Sequence, residues 1–337
     1  SVTIPDSVTS ISSYAFYGCS ALESITLPFV GASLNGTSNT HFGYIFGAHS
    51  YSSHASYVPV SLKTVVITGG AAITAYAFYY CSSLTSVTIP DSVTSIGYDA
   101  FSGCRSLMSV TIPGRVTSIG SSAFSGCRSL TTVTIPDSVT SIGSSAFSGC
   151  AALESITLPF VGGSIKTASD TYQYPFGYIF GTSSYTGGVA TTQYYYGSSA
   201  TYDTYYIPAT LRSVTITGGN ILRGAFYGCS SLTNITIPDS VTTLGHSVFY
   251  ECDQLESVVL PSGITYPVGG SSYSEAVTLK VGRGEAVFAV PTETSYVPSE
   301  SKVNFNPSEV KSLESGSFST ESLLLEPWFV DEPSSVL

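Results

Sequence analysis

The chain has 337 residues, 43% of them hydrophobic and only 10% charged, with a formal net charge of −11. Residues 1–262 carry 7 Lys and Arg against 12 Asp and Glu, and residues 263–337 carry 4 against 10, so the acidic excess runs throughout. Such a balance excludes an electrostatic footprint for nucleic acid or anionic lipid, and no apolar run is long enough to span a bilayer as a helix.

A fixed step organises most of the chain. Ser1 opens in mid-repeat, at Val2-Thr3-Ile4-Pro5, with no signal peptide before it, which reads as a fragment or processed product. Cys81, Cys104, Cys127 and Cys150 follow one another at 23 residues, and Val87, Val110, Val133 and Ile156 keep the same step. A period of this length marks a stacked solenoid, in which no unit buries its apolar face without neighbours. One rung runs from Leu84 to Cys104. Val87 and Ile89 alternate with Ser86 and Thr88, the period of a strand with one buried face. Pro90 stops the strand and Asp91-Ser92 turn it. Val93 and Ile96 return to the core, Gly97 permits a bend, and Ala100, Phe101 and Cys104 face inward from a short 3₁₀ or irregular turn.

Equivalent strands centre on Val2, Ile25, Val65, Val87, Val110, Val133, Ile156, Val214, Ile235 and Val258. Ten such strands side by side predict a parallel sheet about 45 Å long. Its outward face is a row of Thr (Thr26, Thr88, Thr111, Thr134, Thr157, Thr215, Thr236) beside a row of mostly Ser. Thr suits an exposed strand position, and the same face could contact a ligand.

Two rungs are enlarged in the same manner. Leu22–Gly31 recurs verbatim at Leu153–Gly162, and each copy then reaches Phe-Gly-Tyr-Ile-Phe-Gly, at 42–47 and 176–181. The strand-to-strand steps here are 40 and 58 residues, which exceed the period by 17 and 35. With Phe46 and Phe180 in the usual Phe position, the surplus falls in loops at about 47–60 and 181–206. Ten of the 24 tyrosines lie between Gly163 and Tyr206, mixed with Gly, Ser and Thr. That mixture offers large amphipathic contact area at low entropic cost. Candidate ligand contacts are therefore Phe176, Tyr178, Tyr194, Tyr195, Tyr196, Tyr202 and Tyr205, although tyrosines that merely cover the solenoid would give the same composition.

Other constellations point away from chemistry. All seven cysteines (Cys19, Cys81, Cys104, Cys127, Cys150, Cys229, Cys252) hold one repeat position and read as free, buried, small hydrophobes. His41, His49 and His54 fall in the first enlarged rung at spacings that fit no standard metal motif. No nucleophile elbow and no paired carboxylates emerge, so no catalytic residue, metal site or cofactor is expected. After Pro261 the period disappears; Ala276–Val281 and Glu285–Val290 read as strands around a Gly-Arg-Gly turn, and 302–306 and 323–330 as further strands. The organisation expected is a solenoid over 1–262, enlarged near 31–60 and 162–206, followed by a cap, small β module or linker over 263–337.

The recurring Ile-Pro-Asp-Ser-Val-Thr-Ser-Ile-Gly and Ala-Phe-x-x-Cys-x-x-Leu resemble the BspA-type leucine-rich repeats of bacterial cell-surface proteins. The resemblance covers roughly residues 1–262. It implies a right-handed superhelical leucine-rich repeat solenoid with a parallel β-sheet on one face and short 3₁₀ or irregular turns on the other. It also implies an extracellular or cell-surface, non-enzymatic adhesion scaffold, binding host matrix protein or another protein or glycan ligand on host or neighbouring cells. A passive stalk that displays another domain, or a glycan-binding surface protein, would fit the same residues.

Overall fold

The computed structural model describes residues 1–165, 175–194, 202–222, 224–241, 248–249, 251–255 and 257–259, together with the backbone of 277–281 and 284–288. All ten expected strands are present. Val2–Thr3, Ser24–Leu27, Thr64–Ile67, Ser86–Thr88 and Ser109–Val110 form one parallel sheet; Thr132–Thr134, Ser155–Leu158, Ser213–Ile216, Asn234–Thr236 and Ser257–Val259 form the next. Register follows the sequence period, with Val2 opposite Ile25, Ile25 opposite Val65, Val65 opposite Val87, Ile156 opposite Val214, and Val214 opposite Ile235. The two sheets abut between Val110 and Val133, where Thr131 N–H reaches Met108 O at a long 3.4 Å. The four-residue strands alternate buried and half-buried positions. Each fully buried Val or Ile on the inner side is worth about 1.5–3 kcal/mol.

The returning half of the rung is also a sheet, which the sequence analysis did not anticipate. Ala72–Ile73, Ser95–Ile96, Ser118–Ile119 and Ser141–Ile142 pair in parallel. Two residues per rung are too few to show a period. The Gly that follows permits the approach: a side chain at Gly120 would strike the Gly97–Tyr98 peptide of the neighbouring rung.

Between these sheets lies a ladder of aromatic rings. Phe78, Phe101, Phe124 and Phe147 are buried, stacked at 5.2, 5.2 and 5.4 Å with interplanar angles of 3–6°. Their backbones form a second ladder, Phe78 N–H to Ala100 O, Phe101 N–H to Ala123 O and Phe124 N–H to Ala146 O, at 2.7–2.8 Å. The cysteine one turn on adds a third. The thiols of Cys104, Cys127 and Cys150 donate to the carbonyls of Phe78, Phe101 and Phe124 at 3.1–3.3 Å, so each thiol both fills space and satisfies a buried carbonyl. All seven cysteines are free, and six are buried as expected. Cys19 is exposed, a departure from that expectation.

Beyond the solenoid, Val277–Val281 and Gly284–Phe288 pair antiparallel around the Gly-Arg-Gly segment, as the sequence suggests. The strands expected over 302–306 and 323–330 lie outside the described residues.

Candidate functional site

The two enlarged rungs insert their extra chain at the same place. Phe16 N–H bonds Ile45 O, and Phe147 N–H bonds Ile179 O, which puts Phe46 and Phe180 in the Phe position as seen from the preceding rung. Towards the following rung, however, the ladder is continued by other residues: Phe42 N–H bonds Ala77 O, and Phe176 N–H bonds Ala225 O. Each 3₁₀ turn (Phe42–Phe46, Phe176–Ile179) thus splits one aromatic step into two. Phe42 stands 5.3 Å from Phe46 and 5.0 Å from Phe78; Phe176 stands 5.2 Å from Phe180 and 4.9 Å from Phe226. The motif Phe-Gly-Tyr-Ile-Phe supplies both rings, one turn apart.

The two insertions then differ in kind. The first continues through Tyr51–Ser53, a 3₁₀ turn, into the single helical turn His54–Tyr57. The second forms an antiparallel hairpin, Gly188–Tyr194 against Tyr202–Pro208, with Tyr194 opposite Tyr202. Regular structure therefore occupies 51–57 of the first expected loop and 188–194 and 202–206 of the second.

Both insertions return one polar side chain to the interior. His54 is wholly buried; its Nδ1 donates to Tyr79 O at 2.9 Å, and its Nε2 accepts from Gly43 N–H at 3.3 Å. With Nδ1 committed as donor to a carbonyl, Nε2 also accepts from His41 Nδ1, 2.9 Å away. A second proton on His54 would face two donors in a dry site. Burial, with the neighbouring His41, accordingly pulls the His54 pKa down to about 3, and burial alone lowers that of His41. Cys81 Sγ lies 3.7 Å from His54 Nδ1. His41, His54 and Cys81 thus meet although their spacing gave no hint of it; yet among the described residues no cluster of three or more His, Cys, Asp or Glu is arranged to hold a metal.

Of the candidate ligand contacts, Phe176 and Tyr205 are core residues, 0% and 2% exposed. This corrects their expected role: Phe176 carries the aromatic ladder, and the Tyr205 ring occupies the space a side chain at Gly177 would take. Tyr178 is half-buried beside Gly163 and Ser164, at one end of a shallow groove of about 550 Å³ along Ser95–Gly97, Ser118–Ser121 and Ser141–Gly143. Tyr202 is 56% exposed on the hairpin. The Tyr194 backbone pairs in that hairpin, whereas Tyr195 and Tyr196 lie outside the described residues.

Sequence reasoning overlooked the surface beside the first insertion. Tyr51 stacks on Tyr76 at 3.9 Å and 12°, Tyr76 and Tyr79 meet edge to face at 5.5 Å, Tyr76 meets Tyr98 at 5.3 Å, and Tyr79 meets Tyr80 at 4.6 Å. On the opposite flank Tyr14 contacts Tyr17 and hydrogen-bonds His49. Tyr76, Tyr79 and Tyr80 sit together in sequence, but Tyr51 and Tyr98 join them only through the stacking of rungs.

The rung pattern is matched by a known family, described as BspA type leucine rich repeat region, in six copies over residues 1–44, 71–171 and 202–280. No curated relative matches the chain. Among solved structures, a leucine-rich repeat protein from Bacteroides ovatus is 25% identical, over 78% of this chain and 67% of that one, with a TM-score of 0.36. A leucine-rich cell-surface protein from Faecalibacterium prausnitzii is 25% identical over 80% and 79%, with a TM-score of 0.28. The pneumococcal vaccine antigen PcpA is 18% identical over 78% and 61%, with a TM-score of 0.31. With the family pattern over more than half its length and the two five-stranded parallel repeat sheets it folds into, the chain belongs to the BspA-type leucine-rich repeat family.

Proposed function

We propose that the protein is a cell-surface binding scaffold, not an enzyme, which recognises a protein ligand such as a host matrix protein through its enlarged rungs. The observation that carries this reading is the second insertion. The fourteen paired residues of the hairpin carry an exposed tyrosine, Tyr202, at the turn end, where it pairs with Tyr194, and Tyr195 and Tyr196 follow Tyr194 in sequence. Buried Gln193, one pair in from that end, and buried Tyr205 anchor the hairpin to the solenoid. A rigid base with tyrosine at the tip presents amphipathic area at little entropic cost, which favours association. Membership of the BspA-type family supports a cell-surface setting, and the Ser and Thr of the sheet add a neutral, hydrogen-bonding face.

The test keeps the base and removes the tip. Replacing 195–201 with Asn-Gly closes Tyr194 and Tyr202 with a two-residue turn suited to a hairpin, and Tyr202→Ser removes the exposed Tyr202 ring. Surface plasmon resonance against a panel of immobilised host matrix proteins should show binding by the parent chain and its loss in the variant, with unfolding unchanged. Binding by neither would favour a passive stalk.

A further inference from the structure

A different surface carries an inference independent of the hairpin. Tyr51, Tyr76, Tyr79, Tyr80 and Tyr98 form one contiguous group across the first insertion and the two rungs that follow it. Anchoring the insertion accounts for only part of it: Tyr51 closes on Tyr76 and Tyr79. Tyr80 and Tyr98 make no ring contact with the insertion, and they stay 42% and 47% exposed.

The backbone adds a second observation. Tyr80 has φ +55°, at the rung position where Gly18, Gly103, Gly126, Gly149 and Gly228 adopt φ +69° to +76°. A bulky residue there is strained, and such strain persists where a side chain is needed. Glu251 breaks the same rule, and its carboxylate accepts from the Tyr227 hydroxyl at 3.2 Å. Tyr80 instead lays its ring over Gly103, a residue with no side chain to obstruct it, and under the Arg105 guanidinium, 5.9 Å from the ring centroid. Nearby, the Asp99 carboxylate lies close enough to the Tyr98 hydroxyl to raise its pKa. In the next rungs these positions revert to Ser and Gly: Tyr79 and Tyr80 correspond to Ser125 and Gly126, and Tyr98 to Ser121.

We infer that this tyrosine platform is a carbohydrate-binding site for a linear, neutral oligosaccharide of pyranose rings with equatorial hydroxyls. Such rings present flat C–H faces, which the electron-rich rings of the exposed Tyr51 and Tyr98 attract, with the Tyr80 ring edge and its Arg105 partner alongside. Their hydroxyl edges meet the tyrosyl hydroxyls and Arg105, which supply donors and acceptors for a hydroxyl-bearing ligand. Successive rungs place these groups at the spacing of neighbouring parallel strands, about 4.8 Å, so an extended chain can follow them.

The repeat itself supplies the variant for the test. The combined substitution Tyr79→Ser, Tyr80→Gly and Tyr98→Ser installs residues that neighbouring rungs already use, and glycine relieves the strained φ. Isothermal titration of the whole chain with cellohexaose and chitohexaose should give saturable binding to at least one, weakened at least tenfold in the variant, while the unfolding midpoint is kept or raised. Absence of saturable binding by the parent chain to both sugars would overturn the inference, as would binding that survives the triple substitution. Sugar binding lost only when the 195–201 tip is replaced would also overturn it, because that locates the sugar on the hairpin.

Discussion

His54 and Gln193 perform one task in two insertions that share no local structure. His54 accepts from Gly43 N–H and donates to Tyr79 O, with Cys81 Sγ at 3.7 Å; Gln193 accepts from Gly177 N–H at 2.6 Å and donates to Tyr227 O at 3.0 Å, with Cys229 Sγ at 3.6 Å. Splitting the aromatic step leaves a backbone donor and a carbonyl unpaired in the core, and leaving either bare costs about 1–3 kcal/mol. A side chain with one acceptor and one donor resolves both, and imidazole and carboxamide both have that pair. His54→Gln should therefore cost under about 1.5 kcal/mol. His54→Ala, which opens a cavity as well, should cost about 2–5 kcal/mol. Urea unfolding followed by circular dichroism distinguishes the two, and equal losses would refute the shared role.

The same residue makes stability depend on pH. In the unfolded chain His54 titrates near 6.5, whereas in the fold it stays neutral down to about 3. Below 6.5 the unfolded state binds the extra proton and the folded state does not, so stability is complete above that pH and falls as pH drops towards 3. His41 acts in the same direction. Asp99 opposes it, because burial raises its carboxyl pKa and the folded state then takes up its proton more readily. Comparison with His54→Gln isolates the histidine: between pH 7 and pH 4 the parent should lose more unfolding free energy than the variant, by on the order of 3 kcal/mol. Parallel pH profiles would refute the assignment.

What the sequence could reveal depended on whether a feature repeats. Val65, Val87 and Val110 recur with the rung, so strand, register and inner face followed from spacing alone. The Ser95–Ile96 sheet was hidden because two residues cannot display alternation. Phe176 and Tyr205 were misjudged for a related reason. An aromatic residue in a Gly-rich, Tyr-rich insertion looks like a surface contact, and the doubled aromatic step that buries Phe176 becomes visible only when the backbone bonds to Ala225 are known. His54 and Gln193 differ in type and in distance from their glycines, 11 and 16 residues, so no alignment of the two blocks would pair them.

The cysteine ladder predicts a graded reactivity. Burial holds the thiol pKa values well up, that of Cys150 at about 12, so almost no thiolate forms at neutral pH in the six buried positions. Cys19 alone is exposed. A disulfide reagent at pH 8 should label one thiol of the native chain quickly and all seven after guanidinium unfolding. Mass spectrometry of the native adduct should find Cys19; rapid labelling of Cys104 or Cys127 would show that the ladder opens.

Tyr185 offers a prediction of the opposite sign. It lies just before the second hairpin, its ring against Gly188, and its hydroxyl is buried without a hydrogen-bond partner among the described residues. Burial also pushes its pKa up, as expected for a phenol surrounded by apolar groups. A buried hydroxyl with nothing to bond forfeits its hydration and gains nothing in return. Tyr185→Phe removes that oxygen and keeps the ring, so it should leave stability unchanged or raise it by about 1 kcal/mol. Most tyrosine-to-phenylalanine changes at bonded sites lower stability instead, which makes the sign informative. A loss of more than about 1 kcal/mol in urea unfolding would mean that the Tyr185 hydroxyl is bonded in solution, and the base of the hairpin would then be held by a polar contact instead of ring packing alone.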